Sequence, residues 1–598
     1  MTKNDSKTPF AGNYWTSNPE AHGPSYRICL GLFSIFAWTF PLISQGNVIP
    51  LSSKQEYLIE RMSIKYGVPS GFHRAVRPYF RKDLVDLVFY WDSLKVLDPA
   101  DEADIRYLFD ENNEWLMDGG HTVRSKSGTG LDSMGYRYSS RPVLKHFYRT
   151  PAHFLEVNKK EFYLRLNPVL NVQAGRETGA GDWVLANQRG ADLRVGLDQK
   201  IYAQSTILEN QLSLPAFFRN KVEKNKALPG AGFYKYFSDK LYKPQGYDFF
   251  ISNAHLGFRL SPHFHIQLGH GSHFLGDGLR SLFLSEYAQE YFFLKLQARV
   301  WKLHYQSLFA ELSASTPTAS TAGNVLLPKK YTATHTLQAQ LSSRWSLGLF
   351  ETVIFNRNNR FEFQYLNPVI IYRSVEGSIG SPDNVMLGIN SRYDFGRKIS
   401  VYGQVLIDEF VRKEVFSSGK GWWGNKFGGQ LGIKYIDAFG IPRLDLQAEY
   451  NSVRPYTYTH FDSTANYTHQ RTALAHPLGA NFKEYLLNLR YQPAPRWQIH
   501  AYLMAYLWGD DPMPSVNYGG DLLKPYTTRI MDYDNKTTQG RLRNIRHLGF
   551  NLSYELFHNY FIDLNGYYRQ DLEDASDISR FIGAGVRVNF WRKDLNLL

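Results

Sequence analysis

Leu548-Gly549-Phe550-Asn551-Leu552-Ser553-Tyr554-Glu555-Leu556 alternates without a break. Leu548, Phe550, Leu552, Tyr554 and Leu556 take one side, and Gly549, Asn551, Ser553 and Glu555 the other. A period of two belongs to a β-strand, whose successive side chains point to opposite faces. The pattern returns where Leu444, Leu446, Ala448 and Tyr450 alternate with Asp445, Gln447 and Glu449. It returns again over Trp497–Ala505, and it closes the chain with Ile582, Ala584, Val586, Val588 and Phe590. Each run has about ten residues, the length of a tilted strand crossing a bilayer.

A soluble sandwich would turn the polar sides to water. A membrane barrel would turn them to its lumen and give the apolar sides to lipid. Three features select the barrel. The chain carries an export signal: Arg27 precedes the apolar run Ile28–Phe40, then Pro41 and the small residues Ser44 and Gly46, which predicts cleavage after Gly46. Aromatics make up 15% of the chain and gather near strand ends, as an interfacial girdle requires. The last alternating strand ends in Phe590-Trp591.

Composition removes other classes. With 598 residues, 43% of them apolar, the chain buries a large core and is not disordered. Mean hydropathy is −0.38, and no 18-residue apolar run occurs beyond residue 50, which excludes a bundle of membrane helices. The one cysteine, Cys29, lies inside the export signal, so disulfide scaffolds and Cys-ligated metal sites are excluded. The formal net charge is +13. Residues 1–46 hold three cations and two anions, which leaves +12 beyond the signal.

Residues 54–118 differ from the rest. Leu84, Val85, Leu87, Val88 and Trp91 recur at helical spacing, and Asp98-Pro99 has the composition of a helix start with Asp98 as its cap. A shorter helix is expected over Lys54–Tyr66. The predicted organisation is a signal peptide over 1–46, a periplasmic helical segment and linker over 47–145, and an outer-membrane barrel over 146–598.

Nineteen strand candidates can be counted, but a barrel with both ends in the periplasm needs an even number. Short turns and long loops alternate properly forward to about 356 and backward to 383. The clash lies in 357–383, where Asn367-Pro368 interrupts the pattern, so eighteen strands are expected. Long connections then fall outside at about 210–247, 276–289, 313–330, 414–426, 455–481 and 508–542. If Val586 lies near the midplane, Val586→Arg is expected to cost about 2–4 kcal/mol, and Arg587→Ala less.

Several segments together resemble the Wzi-type capsule-assembly family of outer-membrane proteins, in the form found in Bacteroidota, where some relatives are linked to gliding motility. They are Phe162–Pro168, Gly269-His270-Gly271 running to Gly278–Leu282, Phe363–Pro368, Gly421–Lys426, Arg454–Tyr458 and His476–Asn481. The resemblance covers roughly residues 55–590. It implies an eighteen-stranded barrel with a periplasmic helical bundle, and a lectin-like role in attaching capsular polysaccharide.

No residue set points to catalysis. His270 and His273, with His263, His265 and Asp277 nearby, are better explained as turn or lumen residues than as metal ligands. There is no Gly-x-Ser-x-Gly elbow, and Gly269-x-Gly271 is not followed by a helical pattern. No cofactor, metal or nucleic-acid partner is expected. The inward positions are expected to include Arg259, Lys295, Arg299, Lys434, Arg443, Arg490, Arg569 and Arg587, against Asp445, Glu449, Glu484, Glu555 and Asp563. Such pairs either knit a plugged lumen or draw in an anionic glycan. For the outer loops, Trp422, Trp423, Tyr456 and Tyr458 are candidates to stack on sugar faces, with Arg454 holding an acidic group. The leading function is a non-enzymatic surface protein that binds or anchors capsular or exopolysaccharide. The alternatives are an accessory subunit of a secretion, motility or assembly complex, and a pore.

Overall fold

The computed structural model describes residues 47–591 except 95–96, 119–120, 123–137, 140, 142–143, 160, 179–181, 199, 317–325, 370, 382, 410, 412 and 415–419. The export signal expected over 1–46 lies outside the described residues.

Among the described residues, eighteen strands close an antiparallel barrel. They are β1 (Phe162–Thr178), β2 (Trp183–Leu197), β3 (Ile201–Leu212), β4 (Gly246–Arg259), β5 (Phe264–Gly271), β6 (Tyr291–Val300), β7 (Leu303–Ser313), β8 (Lys329–Gln340) and β9 (Trp345–Phe355). The circle continues through β10 (Asn384–Phe395), β11 (Ile399–Glu409), β12 (Lys426–Tyr435), β13 (Leu444–Val453), β14 (Phe482–Ala494), β15 (Trp497–Asp510), β16 (Arg541–Phe557), β17 (Tyr560–Asp571) and β18 (Asp574–Val588). β18 pairs with β1, Val586 opposite Val172, which closes it.

Alternation decides which way each side chain points. On β16 to β18, Leu548, Phe550, Ile562, Leu564, Ile582 and Val586 are exposed on the outer wall, while Asn551, Asp563, Asn565 and Arg587 are buried inside. Exposed apolar groups all round a closed sheet form a surface that lipid, not water, suits.

Among the described residues, no spanning strand forms in 357–383, where the surplus candidate was expected. A short 3-10 turn (Phe363–Leu366) and a helix, Tyr372–Ile379, occupy this region instead. Pro368 supplies no ladder N–H, so a spanning strand there would lose a hydrogen bond. The segment lies against the outer wall. Phe309, Ala333 and Val353, which face outward on β7, β8 and β9, are buried beneath Tyr365, Tyr372 and Val375. The cover has a reason. His335 and Glu351 also face outward, and Tyr372 stacks on His335 at 4.1 Å while its N–H donates to Glu351 at 2.9 Å. Polar groups that would otherwise meet lipid are thereby partnered. Arg357 forks onto Asp383 at 2.8 and 2.7 Å and ties the two ends of the excursion together.

Among the described residues, three helices precede the barrel: α1 (Lys54–Tyr66), α2 (Arg81–Ser93) and α3 (Pro99–Glu111). Their apolar stripes meet in one core of Ile59, Met62, Leu84, Val88, Trp91, Ile105 and Leu108. Ser53 caps α1 by accepting from the Glu56 N–H. Asp98 does not cap α3 with its side chain, contrary to the sequence expectation. Its carboxylate pairs with Lys65 at 2.9 Å instead.

The helices plug the short-turn end of the barrel through ions. Arg61 on α1 reaches Asp445 of β13 at 2.8 Å and Asp437 of the short turn between β12 and β13 at 2.7 Å, and Lys65 reaches Asp437 at 3.2 Å. Glu60 pairs with Lys434, and Asp83 of α2 with Arg299. The connection 272–290 after β5 also folds inward rather than outward. Its Phe274–Leu275 pairs antiparallel with Val76–Arg77 of the plug. Asp277 meets Arg392, and Arg280 meets Glu484 at 3.3 Å. The plug and this connection together fill much of that half of the lumen, leaving a cavity of about 140 Å³ between them and β12 to β15.

Glu56, on α1, titrates within this plug. Burial pushes its carboxyl up from 4.5 to about 7, against the pull of Arg77. The protonated form is the one that packs, so its contribution is present below about pH 4.5 and lost as pH rises through about 7. Glu56→Gln is therefore expected to raise stability by roughly 3–4 kcal/mol at pH 8 and hardly at all at pH 4.5, at about 1.4 kcal/mol per unit. Thermal unfolding at the two pH values checks this; an equal gain at both would refute it.

Candidate functional site

The long connections converge at the end of the barrel opposite the plug. Gly421 stands at φ +53°, in the left-handed region, and a Cβ there would lie 2.8 Å from the Asn535 nitrogen. This freedom lets the loop lie against 532–535. The Asn535 N–H donates to the Gly421 carbonyl at 2.9 Å, and the Trp423 N–H to the Asp532 carbonyl at 2.8 Å. Trp422 folds over Gly424, where any side chain would strike the indole.

What results is a partly exposed aromatic step. Trp422 and Trp423 lie 5.6 Å apart, and Trp423 lies 4.8 Å from Tyr526. The Arg529 guanidinium sits 4.2 Å over Trp423. The Lys426 ammonium sits 4.9 Å from the Tyr526 ring centre and pairs with Asp408 and Glu409 at 3.2 and 3.1 Å. His460 and Phe461 continue the row, Phe461 being exposed.

The other candidates are placed differently. Tyr456 and Tyr458 are buried, at 0% and 1% exposure, so neither presents a face to a sugar. Tyr456 donates its hydroxyl to the Asn517 carbonyl at 2.9 Å, and Tyr458 to the Leu282 carbonyl at 2.7 Å. Both have positive φ, +64° and +71°, which turns them under the surface. Arg454 is half-buried and donates to the Asn425 carbonyl at 2.7 Å, so it braces the loop rather than facing outward. Arg529 and Tyr526 escaped the sequence reading, because Tyr526-Thr527-Thr528-Arg529 lies in an aperiodic loop with no motif to mark it.

The inward cations are engaged. Arg299, Lys434 and Arg443 pair with Asp83, Glu60 and Asp104 of the helical segment, and Arg490 lies over Tyr57. Lys295 lies about as far from Phe80 as from Phe293, at 6.0 and 5.7 Å. Arg569 pairs with Asp577 at 2.7 Å, Arg587 with Asp563 at 2.6 Å, and Arg259 donates to the Ser261 carbonyl. Five of these eight cations thus pair with carboxylates of the plug or of the barrel. His270 donates to the Ser252 carbonyl at 2.8 Å, and His273 packs edge-on against Phe293. Among the described residues, no group of three or more His, Cys, Asp or Glu is arranged to hold a metal ion.

A family model described as capsule assembly protein Wzi matches residues 201–535, more than half of the sequence. The chain belongs to the Wzi capsule-assembly family. Among solved structures, it is similar to Wzi of Escherichia coli, described as an outer membrane protein involved in group 1 capsule assembly and a carbohydrate-binding β-barrel. That likeness covers 92% of this chain and 100% of that one, at 11% identity and a TM-score of 0.53. It shows a shared fold. OprD of Pseudomonas aeruginosa aligns over 71% of this chain and 92% of its own, at 9% identity and a TM-score of 0.40. OccAB2 of Acinetobacter baumannii aligns over 71% and 97%, at 10% identity and a TM-score of 0.40. No curated protein matches the sequence.

Proposed function

We propose that this Wzi-family chain is a non-enzymatic outer-membrane barrel that holds surface polysaccharide, capsular or exocellular, on its long-loop face. The observation that carries the reading is the step of Trp422, Trp423 and Tyr526 with Arg529 laid over it. Flat rings accept the apolar faces of sugars, and the guanidinium, whose Nε pairs with Asp532 at 2.6 Å, offers its remaining N–H groups to a uronate or phosphate in the same polymer. The net charge of +12 beyond residue 46 favours an acidic partner, and that attraction weakens as salt rises. Membership in a capsule-assembly family, and a fold shared with a barrel described as carbohydrate-binding, agree with it.

In this reading lipid covers the apolar wall, the helical plug faces the periplasm and the long loops face outward. Protease on intact cells should then cut the exposed loop at 238–243 and spare 54–111; cleavage within α3 would reverse the orientation. The glycan reading is tested with purified protein and the cell's own extracted polysaccharide. A Trp422→Ala, Trp423→Ala variant should bind about tenfold or more weakly, from the loss of two stacking rings. Unchanged binding in a folded variant would remove the loop face from consideration.

A further inference from the structure

The half of the lumen that the plug and the 272–290 segment leave unpacked holds a cavity of about 490 Å³. It lies within the range of about 300–1,000 Å³ typical of small-molecule sites. It runs between the inner faces of β1 to β4, β17 and β18, from Asn559 and Asn589 at the short-turn end to Ser213 and Leu228 near the loops. Ten carboxamide side chains line it, which outnumber its charged groups.

These amides are arranged rather than scattered. Asn171 donates to Gln188 at 2.7 Å, and Gln188 to Asn210 at 2.7 Å, across three neighbouring strands. Gln173 donates to Asn565 at 2.9 Å across the closure of the barrel. A carboxamide has two donors and an acceptor oxygen with two lone pairs. The ladder fixes each group's orientation while using part of that capacity. Asn565 shares its strand face with Tyr567, whose ring stacks on Phe581 at 5.3 Å to form an aromatic platform beside the amides. The two cations of the wall are committed elsewhere: Arg194 to Glu114 at 2.9 Å, and Arg81 to the Val48 carbonyl and to Asn112. Thr206 adds a hydroxyl that donates to Asp192 at 2.7 Å.

Oriented amides, a hydroxyl and an aromatic platform, with both cations bonded within the protein and the carboxylates of Glu111, Asp192, Glu286 and Glu290 on the same wall disfavouring an anion, match a ligand with many hydroxyls and no charge. We infer that this cavity is a second binding site, for a short uncharged oligosaccharide. The polysaccharide reading supplies only the choice of sugar; the cavity stands apart from the loop face in position and in chemistry.

The probes are neutral tetrasaccharides of glucose, mannose and galactose, added to the detergent-purified full chain and followed by saturation-transfer NMR. At least one should bind. A Gln188→Leu, Asn565→Leu variant should weaken it about tenfold, for two lost hydrogen bonds. Trp422→Ala, Trp423→Ala should leave it unchanged. Should the amide variant fail to insert, Thr206→Val replaces it, with an expected loss of about threefold. Failure of all three sugars to bind, or binding indifferent to the amide and Thr206 variants, overturns the inference. Loss in the tryptophan variant alone would place the sugar on the loops, overturning the cavity site while leaving the loop-face reading intact.

Discussion

Replacing Arg61 with Ala is expected to loosen the plug from the barrel, at a cost of about 3–5 kcal/mol, the range for breaking one partner out of a buried ion network. Arg61 is 2% exposed and stands between Asp445 at 2.8 Å, Asp437 at 2.7 Å and Asp101 at 3.7 Å. Tyr57 donates to the same Asp445 at 2.5 Å. Without the guanidinium, three carboxylates face one another with Lys65 as the remaining nearby cation. Burial alone would raise the Asp437 carboxyl, but Arg61 and the Arg443 N–H hold it below the usual carboxylate range. Its share of the network is therefore present at neutral pH and lost as pH falls through that lowered value. Planar-bilayer recordings should show a larger and noisier conductance for Arg61→Ala than for the wild type, with Arg61→Lys between them, since a lysine keeps the charge but not the fork. Equal conductance and equal thermal stability in all three would mean that these ions do not hold the plug.

The second large effect reverses the ranking that the sequence suggests for the last strand. Val586 does face outward, but it lies two residues from the end of β18. It is in register with Ile562, which is in turn opposite Tyr554, and Tyr554 packs with Trp497 at 4.9 Å. An arginine near that boundary costs about 0–1 kcal/mol, whereas the full 2–4 kcal/mol belongs nearer the midplane, at Ile582. Arg587 is not a free lumen side chain. It bonds Asp563 at 2.6 Å and the Ser553 hydroxyl at 3.2 Å, with its guanidinium 3.9 Å over Phe561. Arg587→Ala leaves a buried carboxylate without its counter-charge, a loss of about 3–5 kcal/mol. Urea titration of the folded barrel should therefore rank Arg587→Ala and Ile582→Arg well below Val586→Arg. If Val586→Arg proves the least stable of the three, the depth assigned to β18 is wrong.

These two cases mark what the sequence made legible. Strand direction was, because a period of two states which residues share a face, and the parity argument located the surplus candidate in 357–383. That the segment there covers His335 and Glu351 was not visible, since nothing in either strand's own pattern says what packs on it. The inward-folding 272–290 connection was hidden for the same reason: loops have no period, and their partners lie far away in sequence. At the loop face, Trp422 and Trp423 were found because adjacent glycines and tryptophans stand out. Tyr456 and Tyr458 stood out equally, yet their positive φ turns them inward. Arg529 became visible only once Trp423 was placed beneath it.

If the loop face retains polysaccharide at the cell surface, altering its rings and cation should release the polymer. The measurement is the amount of polysaccharide that stays on washed cells when the chain is deleted and then restored as wild type or as Trp422→Ala, Trp423→Ala, Arg529→Ala, with barrel quantity and heat-modifiability matched. Deletion should shed the polymer, the wild type should restore it, and the triple variant should leave it in the medium. Full retention both in the deletion strain and with the triple variant would contradict this role of the loop face.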